Sequence, residues 1–212
     1  YLNLRGFENN FAENIDRWCE KKQAPDAIYI FVDAWTKLGG SQFINSSAVG
    51  NYEDYIVKDL YPLLNKAYPN LTNVVMGGSS GGYGALHLAS KFPKFFPYTG
   101  AIAPDAFFEA LFLPEFYKTK NFFNKINVNV EKMIETGDLF ELRDWHSILN
   151  VYAMSACYSP NGKKVEIPFD FHKGQLIRSI EIMLINLVTR QQSQLIFSVN
   201  FIQGFPRPNA HL

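Results

Sequence analysis

Cysteine, histidine and net charge are all scarce in this 212-residue chain, and each scarcity removes a class of function. Two cysteines, Cys19 and Cys157, cannot build a disulfide scaffold, and no CxxC or Cys/His spacing marks a zinc site. Both are read as small buried apolar groups, and neither a metal nor a cofactor is implied. Twenty basic residues balance twenty acidic ones, so no global field draws the chain to DNA, RNA or an anionic membrane. The longest apolar stretch, Ile180 to Val188, is broken by Glu181 and Asn186 and falls well short of the roughly 20 residues that cross a bilayer. The chain opens on Tyr1 with no basic region and apolar run behind it, so a signal peptide is expected to be absent or already removed; the compartment stays open. What the chain does have is apolar matter, 47% of its residues, enough for one folded domain with a sizeable core.

The patterning alternates between two periods. Phe11 to Lys22 reads as a short polar helix with Ile15 and Trp18 on one face. Ala27 to Val32 is a continuous β-branched and aromatic run, the pattern of a strand buried on both faces of a parallel sheet. Ala34 to Gly50 shows neither period and is expected to be a long loop. Asn51 can cap a helix carrying Tyr55, Ile56, Leu60, Leu63, Leu64 and Ala67, kinked at Pro62. A buried strand over Thr72–Gly77, a helix over Tyr83–Phe92 and a strand over Tyr98–Ala103 follow. Short joints between such elements imply right-handed crossovers and a mainly parallel sheet. Beyond Asp105 helical pieces are expected over Ala106–Leu113, Asn129–Thr136 and Arg143–Cys157, a cap or insertion over the sheet. Ser159 to Gly162 reads as a turn and Glu166 to Gly174 as irregular.

One motif carries chemistry. Gly78-Ser79-Ser80-Gly81-Gly82 fits G-x-S-x-G between a predicted strand and a predicted helix, the setting of a nucleophile elbow. In that reading Ser80 occupies strained backbone, and Gly78 and Gly82 keep the space around it clear. The helix that starts behind it aims free amides at developing negative charge, with the Gly81 N–H as one oxyanion donor. By composition alone GGSSGG is a flexible linker. Its position between Val74-Val75-Met76 and Ala85-Leu86-His87-Leu88-Ala89 favours the elbow. Phosphate-binding readings fit less well, since no Gly-Lys-Ser/Thr follows and the dinucleotide glycine spacing is not met.

Three segments together, Tyr29 to Gln42, Tyr52-Glu53-Asp54-Tyr55 and Gly78 to Leu86, resemble the putative esterase family of α/β-hydrolases, which includes S-formylglutathione hydrolase, enterochelin esterase, feruloyl esterases and mycolyltransferases. Ala153 to Asn161 and Pro168-Phe169-Asp170 resemble one bacterial branch of it, so the likeness covers about residues 10 to 178. The resemblance implies an α/β-hydrolase-like core over residues 1–178 with a helical insertion at about 106–157, and a divergent tail over 179–212. It implies a serine hydrolase acting on a small-molecule carboxylic ester or thioester, with Ser80 as nucleophile. The oxyanion donors would be the Gly81 N–H and backbone just after the strand ending at Asp33, for which Trp35 is the choice.

The chain departs from that pattern in its proton relay. The fold's order is serine, acid, histidine. Of the four histidines, His87 follows the elbow on its helix, His146 sits in the capping helix, His172 falls in an irregular stretch and His211 lies next to the end. After Asp170 the remaining acid is Glu181. The chain is therefore expected to be an incomplete or degenerate copy lacking the first sheet strands, the acid and the base. The competing reading is a non-catalytic α/β-hydrolase-like binding domain. The aromatic set Phe107, Phe108, Phe112, Phe116 and Tyr117 reads as core, or else as the lining of an acyl or aryl pocket.

Overall fold

A computed structural model describes residues 11–125, 128–170 and 173–176. They group into two compact units that divide after Ala34.

In the first unit, helix α1 (Phe11–Glu20) realises the predicted N-terminal helix. A left-handed Lys22 and the amides of Gln23 and Ala24, both donating to the Trp18 carbonyl, turn the chain out of it. The apolar run behind it is not the buried strand its composition predicts. Residues 27–32 belong to no ladder, and Ile28, Ile30 and Phe31 stay nearly half exposed. Strand preference is a preference of side chains for a pleated, covered surface. It becomes a strand only where a neighbouring backbone offers donors and acceptors, and the described residues of this unit offer no such edge.

The second unit opens with two tight hairpins inside what the sequence presents as a loop. Strand β1 (Trp35–Thr36) pairs antiparallel with β2 (Gly39–Gly40), and β3 (Asn45–Ser46) with β4 (Gly50–Asn51). Two-residue ladders are too short to leave an alternation in the sequence. Gly39 and Gly50, at φ 104° and 137°, take backbone geometry that side chains disfavour. A continuous helical stretch follows: α2 (Tyr52–Asp54), a π-type segment over Tyr55–Leu60, and α3 (Tyr61–Ala67). Instead of a sharp kink at Pro62, the winding loosens ahead of it. The Tyr61 amide reaches back five residues to the Ile56 carbonyl, easing the crowding a proline ring imposes on the preceding turn.

Strand β5 (Val74–Gly78), helix α4 (Ser80–Lys91) and strand β6 (Tyr98–Ile102) form the predicted crossover, with β5 and β6 parallel in register from Val74 opposite Tyr98 to Gly78 opposite Ile102. Helix α4 packs on this pair. Of the expected mainly parallel sheet, the described residues hold one parallel pair. Among the described residues β5–β6 is the parallel pairing, and the other ladders are two-residue antiparallel pairs. Nor is β5 buried on both faces: Val74, Met76, Tyr98 and Ile102 are more than half exposed. A helix covers one face of a pleat, so alternate side chains are left open.

The stretch after β6 is mainly helical and contains one α-helix, Leu113–Phe123, that the sequence pattern did not reveal. It comprises α5 (Phe108–Leu111), α6 (Leu113–Phe123), α7 (Val130–Thr136) and α8 (Trp145–Tyr158). The alternation of aromatics and lysines in Phe116–Phe123 blurs the period of α6. The Asn129 side chain caps α7 by accepting from the Lys132 amide at 2.9 Å, and Gly137 at φ 88° ends it. Core side chains Phe108, Phe112, Phe116, Val151, Met154 and Tyr158 gather around Tyr83 of α4. Of the aromatic set, Phe107 and Tyr117 face outward and the other three are core residues. The segment expected to be irregular holds β9 (Phe169–Asp170) paired with β10 (Gln175–Leu176), after a hairpin of β7 (Pro160–Asn161) and β8 (Lys164–Val165). No helix among the described residues is long and apolar enough to cross a membrane.

Candidate active site

The sharp bend lies in the glycine-rich segment between strand and helix, one residue earlier than the sequence reading puts it. Ser79, at φ 52° and ψ −122°, is the strained residue between β5 and α4, and Ser80 is already the first residue of the helix. Gly77-Gly78-Ser79-Ser80-Gly81 fits G-x-S-x-G as well as the pentapeptide starting at Gly78 does. Steric contact separates the two registers. A Cβ on Gly77 would fall 2.3 Å from the carbonyl carbon and oxygen of Gly81, whereas one on Gly78 would meet its nearest atom, the Ile102 oxygen, at 3.7 Å. The glycines whose backbones touch therefore flank Ser79. The expectation that Ser80 holds the strained position and that Gly78 clears space for it is corrected accordingly, whereas Gly82 is tightly packed, with the Gly77 oxygen 3.2 Å from where its Cβ would lie.

Backbone hydrogen bonds hold this bend from both sides. The Ser79 amide donates to the Ile102 carbonyl at 3.0 Å, carrying the parallel ladder past Gly78. The Ser79 carbonyl accepts from the amides of Tyr83, at 3.0 Å, and Asp105, at 3.2 Å. The turn after β6 is thus tied to the bend at Ser79. Pro104 presses against Gly82, where a Cβ would come within 3.1 Å of its Cα.

Two neighbouring hydroxyls share one carboxylate. Ser79 Oγ donates to Asp105 Oδ1 at 3.1 Å and Ser80 Oγ to Asp105 Oδ2 at 2.9 Å. Ser79 is exposed and Ser80 partly buried. Behind Ser80 lies Gln42, a buried residue with φ 56° whose Nε2 donates to Ser80 Oγ at 3.1 Å and whose Oε1 accepts from the Tyr158 hydroxyl at 3.2 Å. Burial drives the Tyr158 phenol well above its ordinary pKa, so it stays neutral and able to donate. Phe43, next along, lies so close to α4 that a Cβ on Gly84 would sit 2.5 Å from its ring. A small apolar cavity lined by Phe108, Phe112, Phe116, Met154 and Tyr158 borders this network, for Gln42 Nε2 also lies 3.4 Å from the Met154 sulfur.

Of the predicted site residues, Ser80 and Gly81 lie at the start of α4, where the first amides of a helix lack intrahelical partners. Trp35 lies in β1, its side chain exposed and its carbonyl accepting from the Tyr52 hydroxyl at 3.1 Å. The residue of the 34–50 segment that touches the serines is Gln42. Neither it nor Asp105 was singled out from sequence, where an isolated polar side chain in a loop carries no period.

The described histidines are engaged elsewhere. His87 Nε2 lies 2.6 Å from the buried carboxylate of Glu53, which also accepts from Lys91 Nζ at 2.8 Å. His146 is exposed and stacks on Trp145. His172, Glu181 and His211 lie outside the described residues. No cluster of three metal-ligating side chains occurs among the described residues.

The model of the family described as "Putative esterase" matches residues 9–135, more than half of the chain. That range contains the Ser79 bend, Gln42 and Asp105, and it stops short of the Ala153–Asp170 segments of the sequence resemblance. The comparison with curated proteins gives no match.

Proposed function

The chain belongs to the Putative esterase family, and from that premise we propose that it cleaves a small carboxylic ester or thioester through an acyl-enzyme formed on Ser79. The observation that carries the choice of serine is the backbone of Ser79 at the strand-to-helix bend, with Gly77 and Gly81 in contact beneath it. Such a bend lifts a hydroxyl clear of the sheet, where a substrate carbonyl can approach it. Ser80 is the alternative, and its partly buried hydroxyl, already engaged by Gln42, is the poorer nucleophile.

In this reading Ser79 Oγ attacks the carbonyl carbon, the alcohol or thiol leaves, and water releases the acid. Negative charge develops on the carbonyl oxygen beside the N-terminus of α4. There the Ser80 N–H, the amide after the nucleophile, and the positive end of a twelve-residue helix stabilise it. The Gly81 N–H is next in line, and backbone at Trp35 supplies the second side of the oxyanion site.

A fluorophosphonate probe tests the assignment. Ser79→Ala is expected to abolish capture and Ser80→Ala to retain it; the opposite pattern moves the nucleophile to Ser80. The second reading, a ligand-binding domain without turnover, is favoured by the engagement of His87 with Glu53. It predicts that folded wild-type chain captures no probe at either serine.

A further inference from the structure

A donor stabilises developing charge most when it is already in place, because one that must swing round loses part of its effect to reorganisation. In the Ser79 reading the Ser80 N–H is such a donor. Building on that reading, we propose that Gln42 is a positioning residue of the site: its side-chain amide holds the Ser80 hydroxyl, and through it fixes the N–H that meets the oxyanion.

A peptide group is planar and trans, so its C=O and N–H point in opposite directions. The carbonyl of the Ser79–Ser80 unit is held by the amides of Tyr83, at 3.0 Å, and Asp105, at 3.2 Å. These bonds set the direction of the Ser80 N–H but leave the unit free to tilt about its carbonyl end. The Ser80 side chain removes that freedom. Its Oγ donates to Asp105 Oδ2 at 2.9 Å and accepts from Gln42 Nε2 at 3.1 Å. One tether comes from the turn after β6 and the other from the 34–50 segment, so the first residue of α4 is gripped from two sides.

Gln42 can take one orientation. The Met154 sulfur, 3.4 Å from Nε2, accepts but has no hydrogen to donate, and the Tyr158 hydroxyl, 3.2 Å from Oε1, is kept neutral by burial and donates. The amide oxygen and nitrogen therefore cannot trade places, and Nε2 faces Ser80. The backbone gives an independent sign. Gln42 and Phe43 are both left-handed, at φ 56° and 57°, a conformation that residues with side chains keep only where their surroundings over-determine it and that clusters at functional sites. Phe43 is wedged against α4 where Gly84 leaves room for its ring, which delivers Gln42 to the start of that helix. An apolar side chain of similar size would fill this buried space; the amide is what reaches Ser80.

The test is fluorophosphonate capture at Ser79 in the full chain, followed over a range of probe concentrations so that the maximal rate and the half-saturating concentration separate. The phosphonyl oxygen takes the place of the oxyanion. Losing a donor there typically costs about 100- to 1,000-fold, and displacing one costs less. Gln42→Leu is expected to lower the maximal rate about 10-fold and to leave the half-saturating concentration within about 2-fold. Gln42→Glu, which keeps the shape without the donor, should match it. Ser80→Ala should still label Ser79, again about 10-fold more slowly. Because Gln42 acts through the Ser80 hydroxyl, the double variant Gln42→Leu/Ser80→Ala is also expected to be about 10-fold slow, whereas two independent losses would multiply to about 100-fold. Multiplication, or a wild-type maximal rate in Gln42→Leu or Gln42→Glu, overturns the positioning role and leaves Ser79 as nucleophile. If the Gln42 variants do not fold, Ser80→Ala decides, and a wild-type maximal rate there overturns the role. No capture by folded wild type, or capture on Ser80, removes the Ser79 reading and this inference with it.

Discussion

Replacing Gly77 by alanine probes the geometry on which the site is built. The added methyl would lie 2.3 Å from two backbone atoms of Gly81 and 2.8 Å from a third. Carbon atoms in van der Waals contact are roughly 3.5–4.0 Å apart, so β5 and the start of α4 must separate by more than 1 Å. Backbone on both sides cannot yield as a flexible side chain would. The cost belongs at the upper end of overpacking, roughly 3 kcal/mol. In a chain of this length that lowers Tm by about 6–12 °C. The same shift moves Ser79 relative to the first amides of α4, and a 1 Å misplacement at a reacting centre typically costs about 100-fold in rate. Gly78→Ala is the matched control, since its methyl meets nothing closer than 3.7 Å and Gly78 is exposed. It should leave stability within about 0.5 kcal/mol of the wild type, as surface substitutions do. Thermal melts followed by circular dichroism, with fluorophosphonate capture on the same samples, read both effects. If Gly78→Ala proves as damaging as Gly77→Ala, or Gly77→Ala melts with the wild type, the bend is not centred on Ser79 and the choice of serine goes with it.

Glu53 predicts an acid limb of stability. Burial alone would raise its carboxyl, but hydrogen bonds from His87 and Lys91 outweigh that and hold it below its ordinary 4.5. The group therefore stabilises the fold fully above about pH 4.5, and that contribution is lost as pH falls through the depressed folded value. Glu53→Gln should cost about 3 kcal/mol near neutrality by stranding its partners, and should flatten the fall in urea midpoint below pH 4.5; an unchanged slope would mean that the cluster does not govern acid unfolding. Gln42→Leu leaves the Tyr158 hydroxyl and Ser80 without their partner and should cost about 1–3 kcal/mol. Adding Tyr158→Phe should then cost less than it does in the wild type, and strict additivity would dissolve the proposed chain of hydrogen bonds. Cys157 is buried, and burial pushes its thiol up to about 12, so iodoacetamide at pH 8 should modify it after denaturation and leave it intact in the native protein. Native labelling of Cys157 on mass-spectrometric mapping would show that the α8 core opens readily.

Local chemistry and periodicity determined a good deal of this protein. The β5–α4–β6 crossover, helices α5, α7 and α8 and the glycine-rich bend all follow from side-chain pattern and turn residues, which act over a few positions and so leave their mark in consecutive letters. The family followed from the same stretches. Tertiary contact alone decided the rest. Both serines satisfy the motif, and what separates them is the left-handed backbone of Ser79 and the contact of Gly77 with Gly81, which only the folded bend brings about. Asp105 and Gln42 reach the serines from 25 to 38 positions off, as single polar side chains on turns, and distances in sequence of that size leave no periodic trace. The run from Ala27 to Val32 shows the converse. Its composition specifies a strand, but a strand is a property of two backbones, and the second backbone is not written in the first.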